Sequence, residues 1–275
     1  MVGQESDLTY KSVAELAPLI ARGELSPRDL VRASLDRISQ LDSSLNAFID
    51  VWEEESLSIA SIAEKDIAGG RYLGPLHGIP IGIKDLIDVE GTPTTGGSKV
   101  LADNVASSDA TVTTNLKAAG AIIIGKLNLV EFAFGTTGLN PTTGDVKNPW
   151  DTTRITAGSS SGSGAAVASG MIPAALGTDT GGSVRMPASL CGIAGLKPTY
   201  GRVSRAGVLD LSWSMDHVGP MTRTTEDCAL MMNVLAGHDP RDAASSSNLV
   251  PDFTSEIARG LDGLKIGIPS HYFYD

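Results

Sequence analysis

The segment Ala121-Ile-Ile-Ile-Gly125 is an unbroken apolar run with no polar alternation. A strand of that kind is buried on both faces, so its sheet needs cover on both sides. Leu264 to Ile268 has the same texture and reads as another buried strand. Ile79, Ile81 and Ile83 alternate with Pro80 and Gly82 in a further short strand, which delivers Lys84 and Asp85 at its end. Ala174 to Gly177 is strand-like, and Leu45 to Trp52 has strand character.

Helical patterns stand between these runs. Ser12-Val-Ala-Glu15 is a capping box ahead of Leu16, Leu19 and Ile20 at helical spacing. Ser26-Pro27-Arg28-Asp29 opens a second helix, with Pro at its first position and an acid in its first turn. Further helices are expected at Glu53–Asp66, Asp109–Ala119, Gly164–Met171 and Thr225–Leu235. Helices alternating with short apolar strands predict an α/β fold, a mixed sheet sandwiched by helices. No repeat or linker divides the 275 residues, and Asp242 to Pro251 reads as a surface loop.

Composition narrows the function. The formal net charge is −11, so no basic excess exists to neutralise phosphates and direct nucleic-acid binding is not expected. No run of about 18 apolar residues predicts a membrane span. The polar, acidic start from Met1 to Thr9 is unlike a signal peptide. Cys191 and Cys228 make neither a disulfide framework nor a metal-site spacing, which fits a reducing cytoplasm and calls for no cofactor.

The distinctive chemistry lies between Ala157 and Pro198. Gly158-Ser159-Ser160-Ser161-Gly162-Ser163-Gly164 is followed by Gly177-Thr-Asp-Thr-Gly-Gly-Ser183-Val-Arg185-Met-Pro187 and by Cys191-Gly-Ile-Ala-Gly-Leu-Lys-Pro198. A phosphate-cradling loop fails here, because no Gly-Lys-Ser/Thr follows the glycines. Hydroxyl nucleophiles need a base, and none of His77, His217, His238 and His271 sits in a recognisable triad motif. A lysine held neutral by burial can serve instead. Lys84, at the end of an apolar strand, has a suitable setting.

Together with Gly78-Ile-Pro-Ile-Gly-Ile-Lys84-Asp85, these segments resemble the amidase signature family from about Tyr10 onward, most strongly between Gly74 and Arg223. The resemblance implies that the whole chain, 1–275, is an amidase signature domain, with a helical region at 1–70 and a catalytic core at 74–223. It implies catalytic roles for Lys84 as base, Ser159 as relay after a cis peptide bond, and Ser183 as nucleophile. It also implies an oxyanion hole from the N–H groups of Thr180, Gly181, Gly182 and Ser183, and support from Ser160, Asp179 and Arg185. Ala157 and Ser161 depart from the family's glycines, which leaves open which hydroxyls meet the lysine. Met186, Trp213 and His217 are candidates for the substrate pocket. Gly125-Lys-Leu-Asn-Leu-Val-Glu131-Phe132 reads as scaffold bordering the site.

Members of that family are considerably longer, so the resemblance implies that a C-terminal part is missing. Three functions compete. The first is hydrolysis of a small carboxylic amide to acid plus ammonia or amine. The second is the A (glutaminase) subunit of a glutamine-dependent tRNA amidotransferase. The third is an inactive scaffold or interaction subunit. The first is preferred, because Met186 stands where the amidotransferase branch is expected to have Gln. The partners implied are a small-molecule amide, with a homodimer or, on the second reading, the other amidotransferase subunits.

Overall fold

Six strands form one mixed sheet in the order β1-β3-β2-β6-β8-β7. They are β1 (Phe48–Val51), β2 (Pro80–Lys84), β3 (Ile122–Leu127), β6 (Ala174–Asp179), β7 (Ala194–Gly195) and β8 (His217–Thr222). The computed structural model describes residues 8–271. Residues 1–7, most of the Met1 to Thr9 start read above as unlike a signal peptide, and residues 272–275 lie outside the described residues.

The three central strands run parallel, β2 between β3 and β6, while β1 and β8 are antiparallel to their neighbours. Every residue of β2, β3 and β6 is buried, as an unalternating apolar strand requires. Alternate side chains part to opposite faces. Ile79, Ile81, Ile83, Ile123 and Leu176 join one apolar cluster, and Ile122, Ile124, Leu127 and Ala175 join the other. The first cluster is covered by α1 (Val13–Ala21), α4 (Thr111–Ala118) and α7 (Thr225–Leu235). The second is covered by α2 (Pro27–Leu45), α5 (Ser161–Ala168) and a side of α3 (Glu53–Ala68). The other elements include α6 (Arg185–Cys191), a separate hairpin of β4 (Lys147–Asn148) and β5 (Asp151–Ile155), and short 3-10 turns at Lys99–Leu101, Glu131–Ala133 and Ile257–Arg259.

Helix starts follow the sequence signals. Ser12 and Glu15 form the capping box, and Ser26 Oγ accepts from Arg28 N at 3.1 Å with Pro27 inside the first turn. The expected strand Leu45–Trp52 begins later, at Phe48, because α2 runs to Leu45 and Asn46 closes it in the left-handed region at φ 56°. The helix expected at Gly164–Met171 instead spans Ser161–Ala168, with Gly170 at φ 77° just beyond its end. One expectation is overturned. Leu264–Ile268 is no strand, and Leu264, Ile266 and Ile268 are exposed. An apolar run becomes a buried strand only beside a hydrogen-bonding neighbour and under a cover, and no described residue supplies either.

Candidate active site

Lys84 ends β2 on the face opposite Ile81 and Ile83. It therefore shares its side of the sheet with Gly82, where an added Cβ would lie 2.7 Å from Leu127 and 2.8 Å from Ile172. Its side chain is fully buried. Nζ lies 2.7 Å from Ser159 Oγ, 3.0 Å from Ser160 Oγ and 2.7 Å from Thr178 Oγ1. Ser159 and Ser160 stand at the N-terminal end of α5, with Ser160 as its N-cap, and the Gly158–Ser159 peptide bond is cis. Ser159 O accepts from Val130 N at 3.1 Å, which ties this turn to the segment after β3. That segment is the scaffold read from Gly125 to Phe132.

Burial pushes the Lys84 ammonium down to about 7, against the opposing pull of the Asp179 and Asp216 carboxylates. The positive end of a helix beside Nζ acts in the same direction as burial. Ser160 has two further bonds: its Oγ donates to Thr178 O at 3.1 Å and accepts from Thr178 N at 3.2 Å. Gly177 makes this approach possible, since a Cβ there would meet Ser160 Oγ at 2.7 Å. Ser161 drops out as a partner of the lysine. Its Oγ is buried without a hydrogen bond.

Ser183 is buried on the turn after β6, and its O accepts from Ser160 N at 3.2 Å. No hydrogen bond joins Ser183 Oγ to Ser159 Oγ among the described residues. The backbone bond from Ser160 to Ser183 is what holds the two segments side by side. The turn itself is wound around Asp179. Oδ1 accepts from Gly182 N at 2.8 Å and Oδ2 from Val184 N at 3.1 Å. Arg185 closes a fork on both oxygens, Nε to Oδ2 at 3.0 Å and Nη2 to Oδ1 at 2.9 Å. Burial alone would raise the Asp179 carboxyl, but the Arg185 fork and the backbone donors outweigh it and hold the group below its ordinary value.

Asp179 also corrects the expected set of oxyanion donors. The Gly182 N–H points into the Asp179 carboxylate and is spent there. Gly182 has φ 136°, which keeps the position open only to glycine without strain, while a Cβ at Gly181 would meet nothing within 4 Å. The open side of the turn is therefore the Gly181 side, where the N–H groups of Thr180, Gly181 and Ser183 remain.

Of the three pocket candidates, Met186 packs its side chain against Gly182 and is half-buried. His217 Nδ1 lies 3.0 Å from Asp179 O and its Nε2 lies 3.2 Å from Lys197 Nζ. With Leu86, Ala133, Thr178, Thr180 and Leu211 it lines a narrow cleft beside the lysine. Trp213 does not line this cleft, and it is 75% exposed. Asp216 explains why: Oδ2 accepts from Leu211 N at 2.8 Å and Ser212 N at 2.9 Å, which tightens the loop so that Trp213 sits at its outer bend. The loop is pinned further where Trp213 O accepts from Tyr200 OH at 2.8 Å.

Sequence reasoning missed Thr178 and Asp216. Thr178 directly precedes Asp179 in the motif, and the signal was its place at the end of a strand beside the lysine's own. Asp216 also takes the hydroxyl of Thr180 on Oδ1. Both cysteines are free and buried, and burial pushes their thiols up to about 12 for Cys191 and about 11 for Cys228.

A family model described as Amidase matches residues 29–275. The chain belongs to the amidase family. Its curated relatives include the A subunit of the glutamyl-tRNA(Gln) amidotransferase of Chromohalobacter salexigens, 49% identical over 96% of this chain and 54% of that protein. Its counterpart from Chloroflexus aggregans is 49% identical over 98% of this chain and 55% of its own length. Among solved structures, a vestigial protein complex bearing on the origins of an s-triazine catabolic enzyme superposes with a TM-score of 0.90 at 42% identity, covering 92% of this chain and 56% of that one. The native peptide amidase of Stenotrophomonas maltophilia gives 0.85 at 37% identity, over 90% of this chain and 52% of that one. The A subunit of the Thermotoga maritima glutamyl-tRNA(Gln) amidotransferase gives 0.80 at 39% identity, over 93% and 53%. This amidase-family chain thus spans about half the length of the relatives it matches, and the family's general activity is amide hydrolysis. Among the described residues, no helix is long and apolar enough to cross a membrane.

Proposed function

We propose that the protein hydrolyses a small uncharged carboxylic amide through an acyl-enzyme on Ser183, with Ser159 and Lys84 as the proton relay. The observation that carries this reading is the hydrogen-bond arithmetic around Nζ. A neutral lysine has two N–H donors and one lone pair. Ser160 Oγ already gives its proton to Thr178 O, so it can only accept from Nζ. Thr178 Oγ1 takes the second N–H. The lone pair is left for Ser159 Oγ at 2.7 Å.

From there the chemistry follows. Lys84 accepts the Ser159 proton as Ser159 accepts that of Ser183, and Ser183 Oγ adds to the amide carbonyl carbon. The developing oxyanion faces the N–H groups on the open side of the turn, Gly181 and Ser183 with Thr180 at the edge. Collapse breaks the C–N bond, and the relay returns the proton to the departing nitrogen. Water then takes the place of Ser183 by the same steps in reverse, releasing the acid.

The preference for an uncharged amide rests on the ions near the turn, which are already engaged. Asp179 holds Arg185 and the turn backbone, and Asp216 holds Thr180 and two backbone N–H groups. Neither carboxylate is free for an α-ammonium, and the Nε–Nη2 edge of Arg185 is taken by Asp179. A second reading is favoured by the relatives: identities of 47–49% to amidotransferase A subunits support a glutaminase working with partner subunits. The deciding experiment assays ammonia release from a simple aryl or alkyl amide and from glutamine, with and without amidotransferase partner subunits and tRNA. Turnover of the simple amide by the protein alone supports the proposal. Turnover of glutamine only, and only with the partners, replaces it with the second reading.

A further inference from the structure

A groove of about 440 Å³ lies between α3 and the segments leading into β2 and β3, at the far end of these strands from Lys84. Its wall is apolar: Trp52, Ile59, Ile62 and Ala63 on one side, with Leu73 and Ile123 opposite. Ile62 is 57% exposed at its rim. The volume is within the range of small-molecule sites, which pair an apolar lining with a few placed polar atoms. Here the placed atom belongs to His77.

His77 is only 2% exposed, yet lines this groove. Its ring is fixed on three sides. Nδ1 accepts from Leu73 N at 3.2 Å, the ring stacks on Tyr72 at 5.9 Å, and a side chain at Gly120 would run into Cδ2. With Nδ1 accepting, the neutral ring carries its proton on Nε2. Burial lowers the His77 pKa, which favours that neutral form. Nε2 has no hydrogen-bond partner among the described residues. It is not one of the enclosed atoms that lack a hydrogen bond, so it is open to the groove, where a ligand acceptor can take the place of water on it.

We infer that this groove binds a small uncharged molecule with an apolar body and one hydrogen-bond acceptor, held by His77 Nε2–H. The rim charges argue for an uncharged ligand. Arg71 pairs with Asp66 at 3.3 Å and Lys117 with Asp109 at 2.9 Å, so each cation is offset by a carboxylate and the rim carries no positive excess. Glu55, also on the wall, would repel a carboxylate ligand.

The test uses the 275-residue chain and three probes sharing one body: 1-indanone, which carries the acceptor, indane, which lacks it, and indane-2-carboxylate, which is charged. Binding is read from the indole N–H resonance of Trp52 by NMR, with Trp150 and Trp213 as references outside the groove. Indanone should shift Trp52 saturably and leave the other two unmoved, and indane should bind about tenfold more weakly, the worth of one hydrogen bond. The carboxylate should be weaker than indanone. His77→Phe keeps a ring in place and should bring indanone down to the level of indane. Ala118→Phe, on an exposed position of the groove wall, should block both probes while leaving the melting curve unchanged. No saturation by any probe up to about 10 mM, or shifts at Trp150 and Trp213 equal to those at Trp52, would overturn the site. Equal affinity for indanone and indane would remove His77 as its anchor.

Discussion

Lys84 Nζ and Ser159 Oγ stand 2.7 Å apart in a region where both residues are fully buried. The nearest charges are carboxylates that favour the protonated lysine, yet burial prevails and brings its pKa to about 7. A base in that range is matched to work near neutrality, the condition under which proton transfer is most effective.

The rate should therefore depend on pH with a definite sign. A base must be unprotonated, so kcat/KM should rise as pH rises through about 7 and level off above it. Hydrolysis of a neutral amide, whose own charge does not change, gives the cleanest profile. A rate that is flat from pH 5 to 9 with chemistry limiting would exclude Lys84 as the base.

Loss of the nucleophile and loss of the relay should not add. Ser183→Ala should lower the rate by on the order of 10³-fold or more, and Ser159→Ala nearly as much. The double variant should be no worse than the first, because residues of one proton relay act as a unit. A fluorophosphonate should label the parent protein and the label should vanish in Ser183→Ala. Labelling that survives would assign the nucleophile elsewhere.

The same burial that readies Lys84 costs stability. The unfolded chain takes up a proton near the ordinary lysine pKa of 10.5, whereas the folded chain does so only near 7. Between these values the unfolded state binds more protons, so folding weakens as pH falls from about 10.5 to 7 and the deficit is full below that. Lys84→Met removes the deficit, and its melting temperature relative to the parent should gain more at pH 6.5 than at pH 10. An equal difference at both pH values would mean that Lys84 titrates normally.

Much of this site was legible because strand alternation is strict. With Ile79, Ile81 and Ile83 on one face, Lys84 had to lie on the other, and the motif spacing supplied its serines. The layers were legible for the same reason, since β3 carries Ile122 and Ile124 to one cluster and Ile123 to the other. What escaped depended on partners that spacing does not encode. Thr178 became a neighbour of Lys84 through the parallel register of β2 and β6. The Gly182 N–H was lost to Asp179, and Leu264–Ile268 stayed exposed because texture alone does not provide a neighbouring strand.

Asp85, directly after Lys84, belongs to a second buried pair whose cost can be measured. Its carboxylate is 1% exposed and lies 3.5 Å from the equally buried Lys126 ammonium at the end of β3. Lys126 Nζ also donates to Ile87 O at 2.7 Å and Thr94 Oγ1 at 3.0 Å. Asp85 Oδ2 accepts from Thr95 N at 3.1 Å, while its Oδ1 has no hydrogen bond. Burial raises the Asp85 carboxyl and lowers the Lys126 ammonium, so each tolerates its charge chiefly because of the other. Lys126→Met should strand Asp85 as a lone buried charge and cost about 3–5 kcal/mol in urea unfolding. Lys126→Met combined with Asp85→Asn should recover much of that loss, since Asn keeps an acceptor for Thr95 and carries no charge. If the double variant is no more stable than the single one, the pair is not what sets the cost at this strand end.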